Sequence, residues 1–154
     1  MRQAISTSSA PQAIGPYSQA VRAGNMLFVS GQGHIDPATG VLVEGDVATI
    51  TRRVMQNIGE ILKAAGASFD HVVRSTVYLA DMNDFPSMNA AYAEFFAAPA
   101  PARTTIQAAR LPRDMRVEID VIAAVVDEAG PPTPADITSR RACGAVQGQR
   151  PLRP

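Results

Sequence analysis

The chain has 154 residues, 46% of them apolar and 18% charged, with a formal net charge of zero. That length is enough for one domain with a real core, and the balance excludes a disordered chain. Residues 1–127 carry 10 Lys+Arg against 12 Asp+Glu, a mildly acidic body that argues against nucleic acid as the main partner, because phosphate binding needs a basic surface.

In chain order, Tyr17–Arg22 and Met26–Ser30 read as two strands joined by Ala23-Gly24-Asn25, a tight hairpin signal. Asp36-Pro-Ala-Thr-Gly40 has the composition of a turn. Asp46 caps a helix in which Val47, Ile50, Val54, Ile58, Ile61, Leu62 and Ala65 recur at three- and four-residue steps, and Gly66 stops it at C′. Val72–Leu79 is a strand rich in β-branched residues. Asp84 or Ser87 opens a second helix that runs through Phe96 and carries Met88, Tyr92, Phe95 and Phe96, with Pro99 and Pro101 ending it. Two further strands, Pro101–Ala108 and Val117–Val126, are linked by the turn-like Leu111-Pro-Arg-Asp114.

The order β-β-(β)-α-β-α-β-β predicts an α+β domain, one mixed sheet with both helices on one face. The domain spans residues 1–127. Five of the twelve prolines fall in residues 128–154, where no hydrophobic period is found, so this stretch is expected to be a flexible Pro/Gly/Arg-containing tail.

Side chains alternate faces along a strand. Arg103, Thr105 and Gln107 therefore share one face of their strand, and Thr104, Ile106 and Ala108 the other. In the last strand Val117, Ile119, Val121 and Val125 form an apolar face, with Glu118 and Asp120 opposite. If these two strands pair with their apolar faces on one core, Arg103 and Glu118 share the opposite face. A guanidinium that grips a carboxylate bidentately then sits near a carboxylate able to handle protons. That face also carries Ile122, Ala124 and Val126, an apolar strip that two helices cannot cover, which predicts burial against identical subunits.

Other chemistries find little support. The single lysine, Lys63, falls in a helix, which leaves Schiff-base catalysis without a candidate in a cleft. His34 and His71 read as surface or turn residues, and with Cys143 as the single cysteine they leave no zinc-site spacing and no internal disulfide. Ser30 has no nearby histidine to activate it, and Gly31-Gln-Gly33 is too short for a phosphate loop. The absence of a signal-like start or an apolar stretch of membrane-spanning length leads us to expect a cytoplasmic protein without membrane association.

Gly15-Pro-Tyr17-Ser-Gln-Ala20, Ser30-Gly-Gln32, Asp36-Pro-x-Thr-Gly40, Asn57-Ile, Asp81-Met-x-Asp-Phe85, Met88-Asn89, Pro101-Ala-Arg103 and Leu111-Pro-x-x-x-x-Val-Glu118-Ile resemble the RidA/YjgF family of reactive-intermediate (enamine/imine) deaminases. The motifs fall in family order over roughly residues 4–127. The resemblance implies a chorismate-mutase-like fold, a homotrimer with a site in each cleft between subunits, and hydrolysis of 2-aminoacrylate, 2-iminobutyrate and related imines to 2-oxo acids and ammonia, without a cofactor or metal. It implies Arg103 as the carboxylate-binding arginine, Glu118 as the water-handling glutamate, Tyr17 as the pocket tyrosine, and Ser30, Gly31, Asn89 and Thr105 at other substrate-binding positions. Thr105 stands where archetypal members have cysteine. Gly33-His34 replaces an apolar-Pro pair, which is expected to loosen the lip near Ser30. A non-catalytic trimer that binds small acids, or an endoribonuclease, are the alternative readings.

Overall fold

Helix α1 (Val47–Ala64) forms where the apolar spacing puts it. Asp46 caps it by accepting from the Thr49 amide at 2.8 Å, and Gly66 follows at φ +73°, the left-handed geometry of a C′ residue. Val47, Ile50, Val54, Ile58, Ile61 and Leu62 are all buried, and so are Thr51, Met55 and Asn57. The computed structural model describes residues 1–125. Val126 and Asp127, at the end of the expected 1–127 domain, and the 128–154 segment with Cys143 lie outside the described residues.

The strands are β1 (Arg2–Ile5), β2 (Ala20–Ala23), β3 (Met26–Gly33), β4 (Val72–Leu79), β5 (Ala102–Gln107) and β6 (Val117–Ala124). The hairpin falls at Gly24-Asn25, with Ala23 opposite Met26. Strand β2 starts three residues later than the sequence suggested, because the buried Gln19 side chain ties down residues 7–11 and Tyr17 lies in that loop. The extra strand ahead of α1 is β1 at the N-terminus, whereas the segment between β3 and α1 holds a single bridge, Ile35 to Leu42. Helix α2 (Phe85–Ala93) ends before Phe95 and Phe96. Both of those rings pack on Phe69, with centroids 5.4 and 5.3 Å away, so tertiary contact outweighs helix continuation.

The sheet order is β1-β2-β3-β6-β4-β5. Among the described strands only β4 and β5 are parallel, which makes the sheet mixed. Helix α1 joins β3 to β4 and α2 joins β4 to β5. Both pack on the face that carries Val77, Leu79, Val117, Ile119 and Val121, so the domain is α+β with its two helices on one side. The other face carries Ile122 and Ala124 on β6, together with Phe28 and Ile106, which are 46% and 43% exposed.

One expectation fails. Strands β5 and β6 do not pair, because β4 lies between them. The register sets Arg103 beside Ser75 and Thr105 beside Val77, on the helix side, while Tyr78 stands beside Glu118 and Thr76 beside Asp120 on the open side. Arg103 and Glu118 therefore occupy opposite faces of the sheet. These two strands, consecutive in the chain, are not neighbours here, because the α2 crossover makes β5 a parallel neighbour of β4. Thr104 and Ile106 face the open side.

Candidate active site

Glu118 comes to its position because β6 is buried on its odd-numbered side and half-buried on its even-numbered side. Its carboxylate lies over Gly31, at an irregularity in the β3–β6 register between Val29 and Gln32. A Cβ at residue 31 would strike the Glu118 carboxylate, with its Cδ only 3.0 Å away, so the absence of a side chain at Gly31 is what admits the acid. Tyr17, Ser30, Gly31 and Glu118 line one cavity of about 340 Å³, walled on its apolar side by Ile14, Ile35 and Met115.

Partial burial, and then the neighbouring Asp120 charge, push the Glu118 carboxyl above its ordinary value. Glu118 has no hydrogen-bond or ion-pair partner among the described residues. Asp120 accepts from the Tyr78 hydroxyl at 2.9 Å. A base with a raised pKa holds a proton better, and activity that needs its ionised form falls as pH drops through that raised value. Asp120→Asn removes the neighbouring charge, so the acid limb of the activity profile should move to lower pH, as a titration of turnover against pH would show. Gly31→Ala should cut turnover by an order of magnitude or more by displacing the carboxylate, while circular dichroism remains that of the folded protein.

Ser30 donates through Oγ to the Ser18 carbonyl at 2.7 Å, which leaves its lone pairs to accept from a ligand. Tyr17 is 49% exposed. Its hydroxyl accepts from the Ile14 amide at 3.3 Å, which fixes the ring at the rim.

The second group of expected residues gathers on the helix side. Arg103 donates to Asn89 Oδ1 at 2.7 Å, and its guanidinium carbon lies 4.8 Å from the Tyr92 ring centroid and 5.6 Å from that of Phe85. Arg103 and Asn89 line a recess with Tyr92 and Pro101. No carboxylate pairs with Arg103 among the described residues, so its remaining N–H donors can serve a ligand. Thr105 follows on the same side, and its Oγ1 is buried without a hydrogen-bond partner among the described residues. Its strand, β5, is an edge of the sheet, which leaves backbone groups on its outer side open to pairing. The structure thus brings Tyr17, Ser30, Gly31 and Glu118 together, brings Arg103, Asn89 and Thr105 together, and separates the two groups. Among the described residues no group of three or more His, Cys, Asp and Glu could hold a metal ion, and no helix is long and apolar enough to cross a membrane.

Several supporting residues escaped the sequence reading. Gln19 bonds the Thr7, Ala10 and Pro11 carbonyls, which shapes the wall that Pro11 gives the Glu118 cleft. Tyr92 and Ser75 share a buried hydrogen bond of 2.6 Å beneath Arg103. Asn57, legible in the sequence only as part of a motif, is buried and donates to the Gly33 and Ile35 carbonyls. His71 is a turn residue, as expected, with Nδ1 accepting from the Ser68 amide. His34 is not: it is 4% exposed. Nor is the lip beside it loose, because Gly33 is packed against Met115, whose sulfur occupies the place a Cβ would take.

A sequence model of the endoribonuclease L-PSP family matches residues 7–125. The 2-iminobutanoate/2-iminopropanoate deaminase of Mus musculus is 51% identical over 123 residues, 80% of this chain and 91% of the mouse protein. Among solved structures, a putative endoribonuclease from Thermotoga maritima is 46% identical with a TM-score of 0.80, over 82% of this chain and all of that one. The E. coli TdcF structure with bound serine is 41% identical with a TM-score of 0.77, over 80% of this chain and 99% of that one.

Proposed function

Because the chain belongs to the RidA family, whose members also carry the name endoribonuclease L-PSP, we propose that it is a cofactor-free hydrolytic deaminase of small enamine and imine acids such as 2-aminoacrylate and 2-iminobutyrate. The observation that carries the reading is Glu118: a half-buried carboxylate with no partner among the described residues, in a cleft with Tyr17 and Ser30, where burial pushes its carboxyl above the ordinary value. The name of the mouse relative and the serine bound to TdcF support a small amino-acid-like ligand.

Arg103 binds the substrate carboxylate, with Asn89 holding the guanidinium and backbone groups near Thr105 and Gly31 receiving the imine end. Water attacks the imine carbon as Glu118 takes its proton. That proton goes to nitrogen to give a carbinolamine, and the hydroxyl proton follows it through Glu118 as C=O forms and the C–N bond breaks, so imine plus water yields the 2-oxo acid and ammonia. Imines already hydrolyse in water, so positioning plus one acid–base group suffices.

Since Arg103 and Glu118 face opposite sides of one sheet, the working site combines the Arg103 side of one subunit with the Glu118 side of another. A closed, chorismate-mutase-like homotrimer meets that need and covers the open face that bears Phe28, Ile106 and Ile122.

The test is 2-oxo acid release from freshly generated 2-aminoacrylate and 2-iminobutyrate. Release well above the spontaneous rate is expected. Binding of small acids with release at the spontaneous rate would replace the deaminase reading with that of a binding protein, and cleavage of RNA without imine turnover would favour the ribonuclease.

A further inference from the structure

His34 stands at a crossing of three segments. Its Nδ1 lies 2.9 Å from the Val43 carbonyl and its Nε2 lies 3.2 Å from the Arg116 amide nitrogen. Both partners have fixed polarity, because a carbonyl can only accept and a backbone N–H can only donate. The ring must therefore be neutral, with its proton on Nδ1 and a bare Nε2 receiving the Arg116 N–H. The carbonyls on either side, Gly33 and Ile35, are both held by the Asn57 amide at 3.1 and 2.8 Å, so the ring projects from a strip clamped to α1.

What the ring grips is the lip of the Glu118 cleft. Arg116 lies two residues before Glu118, and Arg113 and Met115 line the same cleft. The lip is strained: Arg113 and Asp114 have φ of 58° and 56°, a left-handed conformation that residues with a side chain adopt at a cost and keep only where surrounding contacts impose it. The Arg116–His34 bond is one such contact, and that of Arg113 Nη1 to the Gly40 carbonyl at 3.1 Å is another. The Met115 sulfur, seated on Gly33, is a third.

We propose that His34 is a positioning residue for the Glu118 cleft: its neutral imidazole pins the 112–116 lip through the Arg116 amide, and protonation of the ring releases it. The added Nε2–H would confront the Arg116 N–H, two donors with no acceptor between them. Glu44 and the Arg116 side chain are the charges that bear on the ring, and α1 presents to its strip the neutral amide of Asn57. Burial, the largest influence, holds the His34 pKa below its usual value, so the latch is closed at neutral pH and opens on acidification. The Gly33-His34 pair, where the family's usual residues are apolar and proline, thus tightens the lip.

The catalytic half of the test rests on the deaminase reading, and the spectroscopic half does not. NMR of protein labelled at histidine nitrogens should show His34 at pH 7 with Nδ1 protonated and Nε2 bare, and the Arg116 backbone amide should follow the His34 titration on acidification. A proton on Nε2 at pH 7, or an Arg116 amide indifferent to that titration, would overturn the latch even if no imine were turned over. For kinetics, His34→Asn keeps a donor near Val43 but loses the acceptor for Arg116. Its kcat/KM at neutral pH should fall roughly five- to tenfold, the worth of one net hydrogen bond. His34→Gln, whose amide oxygen can reach the place of Nε2, should restore most of that loss. Equal kcat/KM in the two variants would refute the proposal, and should His34→Asn fail to fold, the NMR titration and the Gln variant decide.

Discussion

Arg103→Ala is expected to lower kcat/KM for 2-iminobutyrate by roughly one to two orders of magnitude, the worth of a charge-assisted carboxylate contact of about 1.5–3 kcal/mol. The loss is large because the substrate has few other handles: with about seven heavy atoms at a ceiling of ~1.5 kcal/mol each, the carboxylate must supply much of the binding. The protein should stay folded. Arg103 is only half-buried and pairs with no acid among the described residues, so truncation forfeits the Asn89 bond and the stacking on Tyr92, on the order of 1–2 kcal/mol against a typical stability of 5–15. Steady-state kinetics beside a thermal melt separates the outcomes. Near-normal turnover would remove Arg103 from the site, and an unfolded variant would make it a structural arginine.

Much of the fold was legible where the signal is local. The Asp46 cap, the spacing from Val47 to Leu62 and the Gly66 stop each rest on contacts within a few residues, and α1 follows them closely. The alternation in β6 was equally direct. What the sequence could not supply was the order of strands, which non-local pairing decides. Strand β5 shows the consequence. Thr104, Ile106 and Ala108 looked like its inward face, yet α2 offers Arg103 two aromatic rings and an amide oxygen, and Ser75 and Val77 beside it set the register. A long cation can lie inward when its charge finds such partners. The residue types of the candidate site were thus readable from the motifs, while their division between two faces required the register. His34 was misread for a related reason: its partners, Val43 and Arg116, lie 9 and 82 residues away.

That division leads to the sharpest expectation. Glu118→Gln should reduce kcat by about 10²–10⁴, since the amide cannot take water's proton, with ligand affinity retained. If each working site takes Arg103 from one subunit and Glu118 from a neighbour, the two defects should complement. When Arg103→Ala and Glu118→Gln proteins are unfolded together in equal amounts and refolded as mixed assemblies, about one quarter of interfaces would carry both native residues, given random mixing in a closed ring. Activity should then rise from near background toward a quarter of the wild-type rate, and the double variant treated the same way should stay inactive. Light scattering should give about three times the 16.3 kDa chain mass. A site contained within one chain would give no recovery, because every chain in the mixture lacks one of the two groups. Recovery would therefore require the Arg103 side of one sheet to meet the Glu118 side of another, the arrangement that opposite faces demand of two residues serving one small molecule.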